Sequence, residues 1–265
     1  NNVQYFAGCE FDVNQLSIQV KNECVKQGNR GTYEEDNFKL GYCSHLISRI
    51  NMFLQNPVIK NALGIDNKDS KVEVIEIIKH FLDNNSDSTD TILRIGFEKL
   101  SYDFAIREII VDFIASYLLR RSRSEGFKEA PVILFIDEAH QFLNKRISAD
   151  DDSSFYLQNI DSIAKEARKY GLFLCLATQM PRDIPIGTLS QMGTFIVHRL
   201  INEQDKKSVE NAASSANRNV LQFLPILGEG EALLVGVDFP MPLMLKIDAP
   251  INKPNSSTPR LKNKK

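Results

Sequence analysis

An unbroken apolar run that ends on two acids constrains the fold of this chain more than any other feature. Val132–Ile136 contains five consecutive apolar residues, and Asp137 and Glu138 follow directly. A run of this length without polar alternation predicts a β-strand that is buried on both faces, as in the parallel sheets of α/β proteins. Ligands bind beyond the carboxyl ends of such strands, so the two carboxylates lie where a ligand is expected.

An acidic pair at this position is typical of the Walker B strand of a nucleoside triphosphatase. Asp137 is then predicted to hold Mg²⁺ through its water shell. Glu138 is predicted to polarise the attacking water and to accept its proton. The alternative is a core strand that ends in a solvated acidic turn.

A second apolar run ends in the same way. Residues 156–170 have the spacing of an amphipathic helix that Gly171 ends, and the next residues, 172–177, are apolar. Thr178 and Gln179 follow this second predicted strand. Two neighbouring parallel strands would bring both polar side chains to the same edge as the acidic pair.

The segments before the acidic pair predict helices and one more strand. Apolar residues recur at three- and four-residue spacing over 40–54 and over 72–82, which predicts two amphipathic helices. Residues 92–97 are a strand candidate, and 104–119 form an apolar helix candidate. A strand, a helix and the strand 132–136 in this order predict a right-handed parallel crossover.

The segments after the second strand predict further strands. Residues 194–199 are an apolar strand candidate, and the polar residues 202–205 signal the start of a helix. Residues 231–237 and 243–247 predict two strands that pair as a hairpin.

Composition limits the class of protein. A chain of 265 residues with 43% hydrophobic content can bury a substantial core. It has neither an apolar run as long as a membrane span nor the pattern of a signal peptide. Its four cysteines form no C-x-x-C pair, so free thiols in a reducing cytoplasm are expected, although Cys43 and His45 could supply two metal ligands.

Charge is distributed unevenly along the chain. The net charge is −2, but residues 251–265 carry five basic residues and no acidic ones, which leaves the body mildly acidic. Nucleic-acid contact is therefore expected only in a channel or at this tail. A flexible, solvated tail is the favoured interpretation.

Five motifs in order carry a resemblance to a known family. They are I-D-E-A-H-Q-F-L at 136–143, E-A-R-K-Y-G at 166–171, L-A-T-Q-M-P at 176–181, L-S-Q-M-G-T-F-I-V-H-R-L-I-N-E-Q-D at 189–205 and G-E-G-E-A-L-L-V-G at 228–236. Together they resemble the HerA branch of the HerA/FtsK translocase ATPases. The resemblance implies an α/β fold: part of a RecA-like parallel-sheet P-loop NTPase core at 91–250, a helical insertion at 1–90, a carboxyl-terminal β-hairpin and a basic tail at 251–265.

The resemblance also implies a function. It implies a hexameric ring in the cytoplasm that uses ATP and Mg²⁺ to move along double-stranded DNA. Asp137 and Thr178 are then expected at the nucleotide, Glu138 acts as the catalytic base, and Gln179 senses the γ-phosphate. Arg168, and more weakly Arg199, are expected to reach the site of the adjoining subunit.

DNA contact and partners are further expectations of the resemblance. Lys145 and Arg146, which follow the Walker B segment, are expected to face the pore of the ring or, alternatively, to form a solvated surface pair. The partner is expected to be a nuclease or a sirtuin-like effector, with a lean toward antiphage defence. The alternatives are a non-catalytic ring scaffold that organises an effector, and a conjugation or secretion motor.

One departure from the family is plain. The pattern G-x-x-x-x-G-K-[ST] occurs nowhere in this sequence, which contains no Gly-Lys dipeptide. The phosphate cradle and its lysine are therefore missing, and the chain alone is expected to be inactive. Because the sequence starts at Asn1, a P-loop further upstream in a longer polypeptide is favoured over a subunit that has lost hydrolysis.

Overall fold

A computed structural model describes most of the chain. The described residues are 12–28, 32–63, 65, 74–83, 92–100, 105–143, 147–149, 153–155, 158–213, 218–237 and 239–252. The chain divides into two compact units, 1–110 and 111–265. The predicted domain limits at residues 90 and 250 stay predictions.

The first unit is mostly helical. Its elements are α1 (Leu16–Glu23), β1 (Val25–Gln27), β2 (Tyr33–Glu35), α2 (Asn37–Gln55), α3 (Pro57–Leu63) and α4 (Val74–Asp83). Strands β1 and β2 pair antiparallel. Helix α2 begins where the Asp36 carboxylate accepts hydrogen bonds from the Phe38 and Lys39 N–H groups. Both amphipathic helices predicted from periodicity are confirmed as α2 and α4.

The strand predicted at 92–97 is wrong. These residues are not in a strand and pair with no other strand in the described part of the chain, and Ile92 is 84% exposed. An apolar run becomes a strand only where a neighbour takes its backbone hydrogen bonds, and no such neighbour is present here among the described residues. The predicted crossover fails with it. The following helix is confirmed as α5 (Ile106–Ser124).

The second unit contains a parallel pair of strands. Strand β3 (Val132–Ile136) pairs in parallel with β6 (Leu172–Leu176). Between them in sequence lie α6 (His140–Leu143), the antiparallel strands β4 (Ile147–Ala149) and β5 (Ser153–Phe155), α7 (Asn159–Glu166) and a 3-10 turn over 167–170. The parallel pair agrees with the predicted α/β class.

Gly171 enters β6 in a conformation that requires glycine. Its φ is +83°, and a Cβ atom at this position would lie 2.3 Å from the Phe127 carbonyl oxygen. The neighbouring chain can approach this closely only because glycine has no side chain. The predicted end of the preceding helical segment at Gly171 is confirmed.

The expectation that β3 is buried on both faces is wrong for the described structure. Ile133 is 65% exposed and Phe135 is 60% exposed, while Ile136 is buried. Phe173, which is opposite Ile133 in the register, is also exposed. Helix α7 packs against β6. Burial therefore depends on what covers each face, and the described residues leave the face of Ile133 and Phe135 open.

The rest of the second unit is built on an antiparallel sheet. Strand β8 (Glu231–Gly236) lies between β7 (Thr194–Val197) and β9 (Leu243–Lys246) and is antiparallel to both, which confirms the predicted hairpin. Helices α8 (Ile186–Leu189), α9 (Glu203–Ala212) and α10 (Arg218–Leu221) belong to the same part of the chain. The buried core here consists of Val197, Val209, Ala213, Leu221, Leu224, Leu227, Leu233 and Val235. Among the described helices, none has the length and apolar character needed to cross a membrane.

Candidate active site

The two parallel strands bring their terminal polar residues together. Beyond the last paired residues, the Ala177 N–H donates to the Ile136 carbonyl at 2.9 Å, and the Ala139 N–H donates to the Ala177 carbonyl at 2.9 Å. The Gln179 amide Nε2 donates to Glu138 Oε1 at 2.6 Å. The structure therefore places the predicted catalytic base and the predicted γ-phosphate sensor in direct contact.

The turn after β3 holds Glu138 in an unusual backbone conformation. Its φ is +48°, in the left-handed region that non-glycine residues rarely adopt. The Glu138 N–H donates to Asp137 Oδ1 at 2.9 Å, and the Glu138 carbonyl accepts from the Gln141 N–H at 2.8 Å. Such a conformation costs about 1–3 kcal/mol and persists where surrounding contacts enforce it, often at functional sites.

Asp137 fits the predicted role of a Mg²⁺ ligand. Its side chain is exposed, and only Oδ1 is engaged by the Glu138 N–H. Mg²⁺ prefers one or two carboxylate oxygens together with water and phosphate oxygens, and this carboxylate leaves room for both. No group of three or more His, Cys, Asp or Glu side chains suited to a metal occurs among the described residues. A site made of Asp137, waters and nucleotide phosphates needs no such group.

Thr178 supports the polar cluster from the second strand. Its Oγ1 accepts a hydrogen bond from the Met180 N–H at 3.0 Å and lies 3.2 Å from His140 Nδ1. His140 Nδ1 also lies 3.3 Å from Glu138 Oε2. His140 was not predicted as a site residue, although its position two residues after Glu138 in I-D-E-A-H offered a signal.

The loop after Gln179 is fixed by a buried carboxylate. Asp205, in the first turn of α9, is only 4% exposed. It accepts from the Arg182 backbone N–H at 3.2 Å and from Arg182 Nη1 at 3.1 Å. This pair ties the segment that carries Gln179 to helix α9. No sequence pattern predicts this pair, because the two residues are separated by 23 positions.

The two arginines predicted to act across a subunit boundary are exposed. Arg168 lies in the 3-10 turn after α7, and Arg199 follows β7. Neither forms a hydrogen bond through its side chain or an ion pair with the described residues. The structure does not bring either arginine into hydrogen-bond contact with the described site residues.

The charged residues next to Arg168 form ion pairs. Glu166 pairs with Arg123 of α5 and with Lys169. The hydrogen bond from Arg123, together with the charges of Arg123 and Lys169, lowers the pKa of Glu166. Among the described residues of this turn, Lys169 is thus paired with Glu166, whereas the Arg168 side chain forms no ion pair.

The remaining predictions concern two cations and the cysteines. Lys145 and Arg146 lie outside the described residues. Among the described cysteines, Cys24, Cys43 and Cys175 are free. Burial raises the pKa of the Cys24 thiol, with Cys43 as a second cause, and partial burial raises that of Cys175.

An α/β unit with an acidic pair after one parallel strand, bonded to a polar side chain after the next, has the Walker B arrangement of nucleotide-hydrolysing enzymes. Residues 79–262 match the family described as "Helicase HerA-like C-terminal". The chain therefore belongs to the HerA-like helicase family, and the resemblance seen in the sequence motifs is confirmed.

Individual relatives agree with the family. The chain is 29% identical over 262 residues to the DNA double-strand break repair helicase HerA of Sulfurisphaera tokodaii, covering 91% of this chain and 52% of the relative. It is 31% identical over 200 residues to a probable helicase of Methanocaldococcus jannaschii, covering 69% of this chain and 37% of the relative. The chain thus spans about half or less of the length of these relatives.

A solved structure shows a looser likeness. It is the genome packaging NTPase B204 of Sulfolobus turreted icosahedral virus 2 in complex with ATP-gammaS, with 20% sequence identity and a TM-score of 0.41. The match covers 52% of this chain and 62% of the viral protein.

Proposed function

We propose that this chain is the carboxyl-terminal part of the ATPase core of a HerA-type DNA translocase. The observation that carries the proposal is the 2.6 Å hydrogen bond between Gln179 and Glu138, which joins the ends of two parallel strands beside Asp137. In this arrangement Asp137 would hold Mg²⁺ through its water shell, and the ion would neutralise phosphate charge. Glu138 accepts a proton from the attacking water, and Gln179 and Thr178 face the nucleotide.

Gln179 is expected to exchange its hydrogen-bond partner when the nucleotide binds. The amide of Gln179 occupies Glu138 Oε1, the oxygen that would face a water molecule. A bound γ-phosphate offers the amide other charged oxygens as acceptors, in competition with the Glu138 carboxylate. Contact between Gln179 and phosphate therefore frees Oε1 for the water.

Residues outside this sequence complete the site. The missing P-loop is supplied by an upstream segment of a longer polypeptide, because the sequence contains no phosphate-binding glycine-rich loop with its lysine. Residues 1–90 form a helical insertion of that core, residues 91–250 its carboxyl-terminal part, and residues 251–265 a basic tail.

The assembly proposed is a hexameric ring on double-stranded DNA. Arg168 acts on the site of the adjoining subunit, with Arg199 as the second candidate, and Lys145 and Arg146 face the DNA. The exposure of both arginines and the absence of ion pairs to described residues support their availability. The name of the Sulfurisphaera relative, a double-strand break repair helicase, supports DNA as the substrate.

The partner and setting follow from the family resemblance. The ring works in the cytoplasm with a nuclease or a sirtuin-like effector, in antiphage defence. Co-purification of the full-length protein with the product of a neighbouring nuclease or sirtuin-like gene tests this. A full-length ring that assembles with no such protein removes the effector from the proposal.

The deciding experiment is ATP turnover by the full-length natural polypeptide, with and without double-stranded DNA. Glu138→Gln is expected to lower turnover about 10²- to 10⁴-fold, the usual contribution of a general base, because its amide cannot accept a proton. Glu129→Gln is the matched control, since Glu129 is an exposed acid just before β3. Undiminished turnover by Glu138→Gln removes Glu138 from its role.

Arg168→Ala tests the subunit boundary. An arginine supplied in trans contributes about 10³ to 10⁵ in rate, so this variant is expected to lose most of its turnover while still binding ATP. Lys169→Ala changes the next cation along the turn and serves as the control. Mixed rings of Arg168→Ala and Glu138→Gln subunits are expected to regain part of the activity, because some interfaces combine an intact arginine with an intact base. Mixtures that stay inactive place Arg168 outside the interface.

A further inference from the structure

His140 occupies a bridging position in the polar cluster. Its Nδ1 atom lies 3.3 Å from Glu138 Oε2 and 3.2 Å from Thr178 Oγ1, so one ring nitrogen faces both strands of the parallel pair. The side chain is 18% exposed, which limits the water that can reach this nitrogen. His140 is also the first residue of the short helix α6, directly after the strained turn at Glu138.

The neighbours of Nδ1 determine where its proton lies. An ionised Glu138 carboxylate offers only hydrogen-bond acceptors. The Thr178 hydroxyl, which accepts from the Met180 N–H at 3.0 Å, can still donate its own proton, so Glu138 is the neighbour that favours a proton on Nδ1. If Nδ1 carried a lone pair, that lone pair would face Glu138 Oε2 and repel it. A neutral His140 is therefore expected to carry its proton on Nδ1 and to leave Nε2 as an acceptor.

The two oxygens of Glu138 have different surroundings. Oε1 accepts from Gln179, whose side chain is exposed. Oε2 is buried, and apart from the close approach of His140 Nδ1 it has no hydrogen-bond partner in the described structure. One oxygen is thus held by a group that can change partners, and the other faces a ring fixed at the start of a helix.

We propose that His140 is a positioning residue that orients the Glu138 carboxylate through an Nδ1–H to Oε2 hydrogen bond. The proposal rests on the proposed function, in which Glu138 is the general base. With Oε2 held by His140, rotation of the carboxylate is restricted, and Oε1 stays directed to the place where Gln179 is replaced by water. His140 acts through Glu138 and need not touch the nucleotide.

A pair of amide substitutions distinguishes the two ring nitrogens. The Asn side chain can place its NH₂ group near the position of Nδ1, and the longer Gln side chain can place its NH₂ group near the position of Nε2. In the full-length protein, His140→Asn is expected to keep most of kcat for ATP. His140→Gln and His140→Ala are expected to lose about 10- to 100-fold, as is usual when a supporting partner of a reactive side chain is removed. The KM for ATP should change less than kcat in all three, because the substitutions act chiefly on the orientation of the Glu138 carboxylate.

A second readout does not depend on turnover. Nitrogen-15 NMR of the histidine-labelled full-length protein distinguishes a protonated from an unprotonated ring nitrogen, and the His140 signals are assigned by their loss in His140→Asn. The Nδ1–H form is expected in the wild type near neutral pH, and its population should fall in Glu138→Ala, which removes the acceptor.

The outcomes separate this proposal from the proposed function. A wild type without ATP turnover overturns the function and with it any catalytic role of His140, while the NMR result still decides whether the hydrogen bond to Glu138 exists. With an active wild type, a proton on Nε2 alone overturns the proposal, as does equal kcat in the Asn and Gln variants. Equal loss of kcat in all three variants together with a lower melting temperature assigns His140 a structural role only.

Discussion

The two sheets of the second unit differ in what they bury. In the antiparallel sheet, Leu233 and Val235 of the central strand β8 are each 1% exposed and lie in the core with residues of α9 and α10. In the parallel pair, Ile133 and Phe135 of β3 are more than half exposed. The central strand of the antiparallel sheet is thus packed into a core, whereas β3 leaves one face open in the described structure.

The parallel pair carries a strained residue and a polar cluster at its end. Glu138 adopts a left-handed backbone conformation, and its carboxylate shares the end of the strands with Asp137, Gln179 and His140. Polar side chains that are held close together in fixed orientations gain little for folding, but they can act on a ligand. The comparison shows that the polar cluster lies on the sheet with an open face, and not on the sheet whose central strand is packed into the core.

Truncation at the centre of each sheet gives the largest expected difference in stability. Leu233→Ala should lower the free energy of unfolding by about 2–5 kcal/mol, because it leaves a cavity in a packed core. Ile133→Ala, a comparable loss of volume on the exposed face of β3, should change it by no more than about 0.5 kcal/mol. Denaturant unfolding of both variants checks this. Equal losses would mean that the exposed face of β3 contributes as much stability as the core around β8.

A smaller effect is expected from the strained residue itself. Glu138→Gly and Glu138→Ala both remove the carboxylate, but only glycine removes the cost of a positive φ. The glycine variant should therefore be the more stable of the two by about 1 kcal/mol. At Glu129, whose φ is not positive, the order should reverse, because glycine there is about 0.5–1 kcal/mol less stable than alanine where the backbone is ordinary.

Thermal or denaturant unfolding of these four variants is the measurement. Both substitutions at Glu138 should also abolish ATP turnover in the full-length protein, because both remove the proposed base. If alanine proves as stable as glycine at position 138, the turn after β3 stores no strain.

The site was largely predictable because parallel strands impose their own geometry. Once residues 132–136 and 172–177 were recognised as neighbouring strands, their next residues had to meet at one edge, and Glu138 and Gln179 do so. Local sequence signals also predicted two helix ends. Gly171, with its φ of +83°, ends one helical segment, and Asn202 caps the start of α9.

Features that depend on distant partners were not predictable. Residues 92–97 have the composition of a strand, but composition does not state whether another strand is available to pair with it. The open face of β3 was not predictable for a similar reason, because an apolar run does not show which other element covers it. The backbone of Glu138 and the approach of His140 follow from a tight turn whose geometry a sequence pattern does not fix, since a glutamate rarely adopts a positive φ.

The smallest expected effect concerns a charged pair between the helices α5 and α7. Asp112 of α5 accepts from the backbone and side-chain amides of Asn159 at the start of α7, and Arg123 pairs with Glu166 at the end of α7. The ion pair lowers the pKa of Glu166 below that of an unfolded chain. The stabilisation that this ion pair provides is therefore complete when the pH is above the ordinary glutamate pKa. It is lost as the pH falls through the lowered pKa of Glu166.

Arg123→Gln should make unfolding less sensitive to acid in that pH range and should lower stability only slightly near neutral pH, because the pair is partly exposed. Added salt should reduce the difference between the variant and the wild type, since exposed charges are screened. Arg120→Gln, which removes an exposed arginine of the same helix, is the control. The measurement is the free energy of unfolding from neutral to acidic pH at low and high salt. If the pH profile of stability of Arg123→Gln parallels that of the wild type, this ion pair contributes nothing. The contact between α5 and α7 then depends on Asp112 and apolar packing.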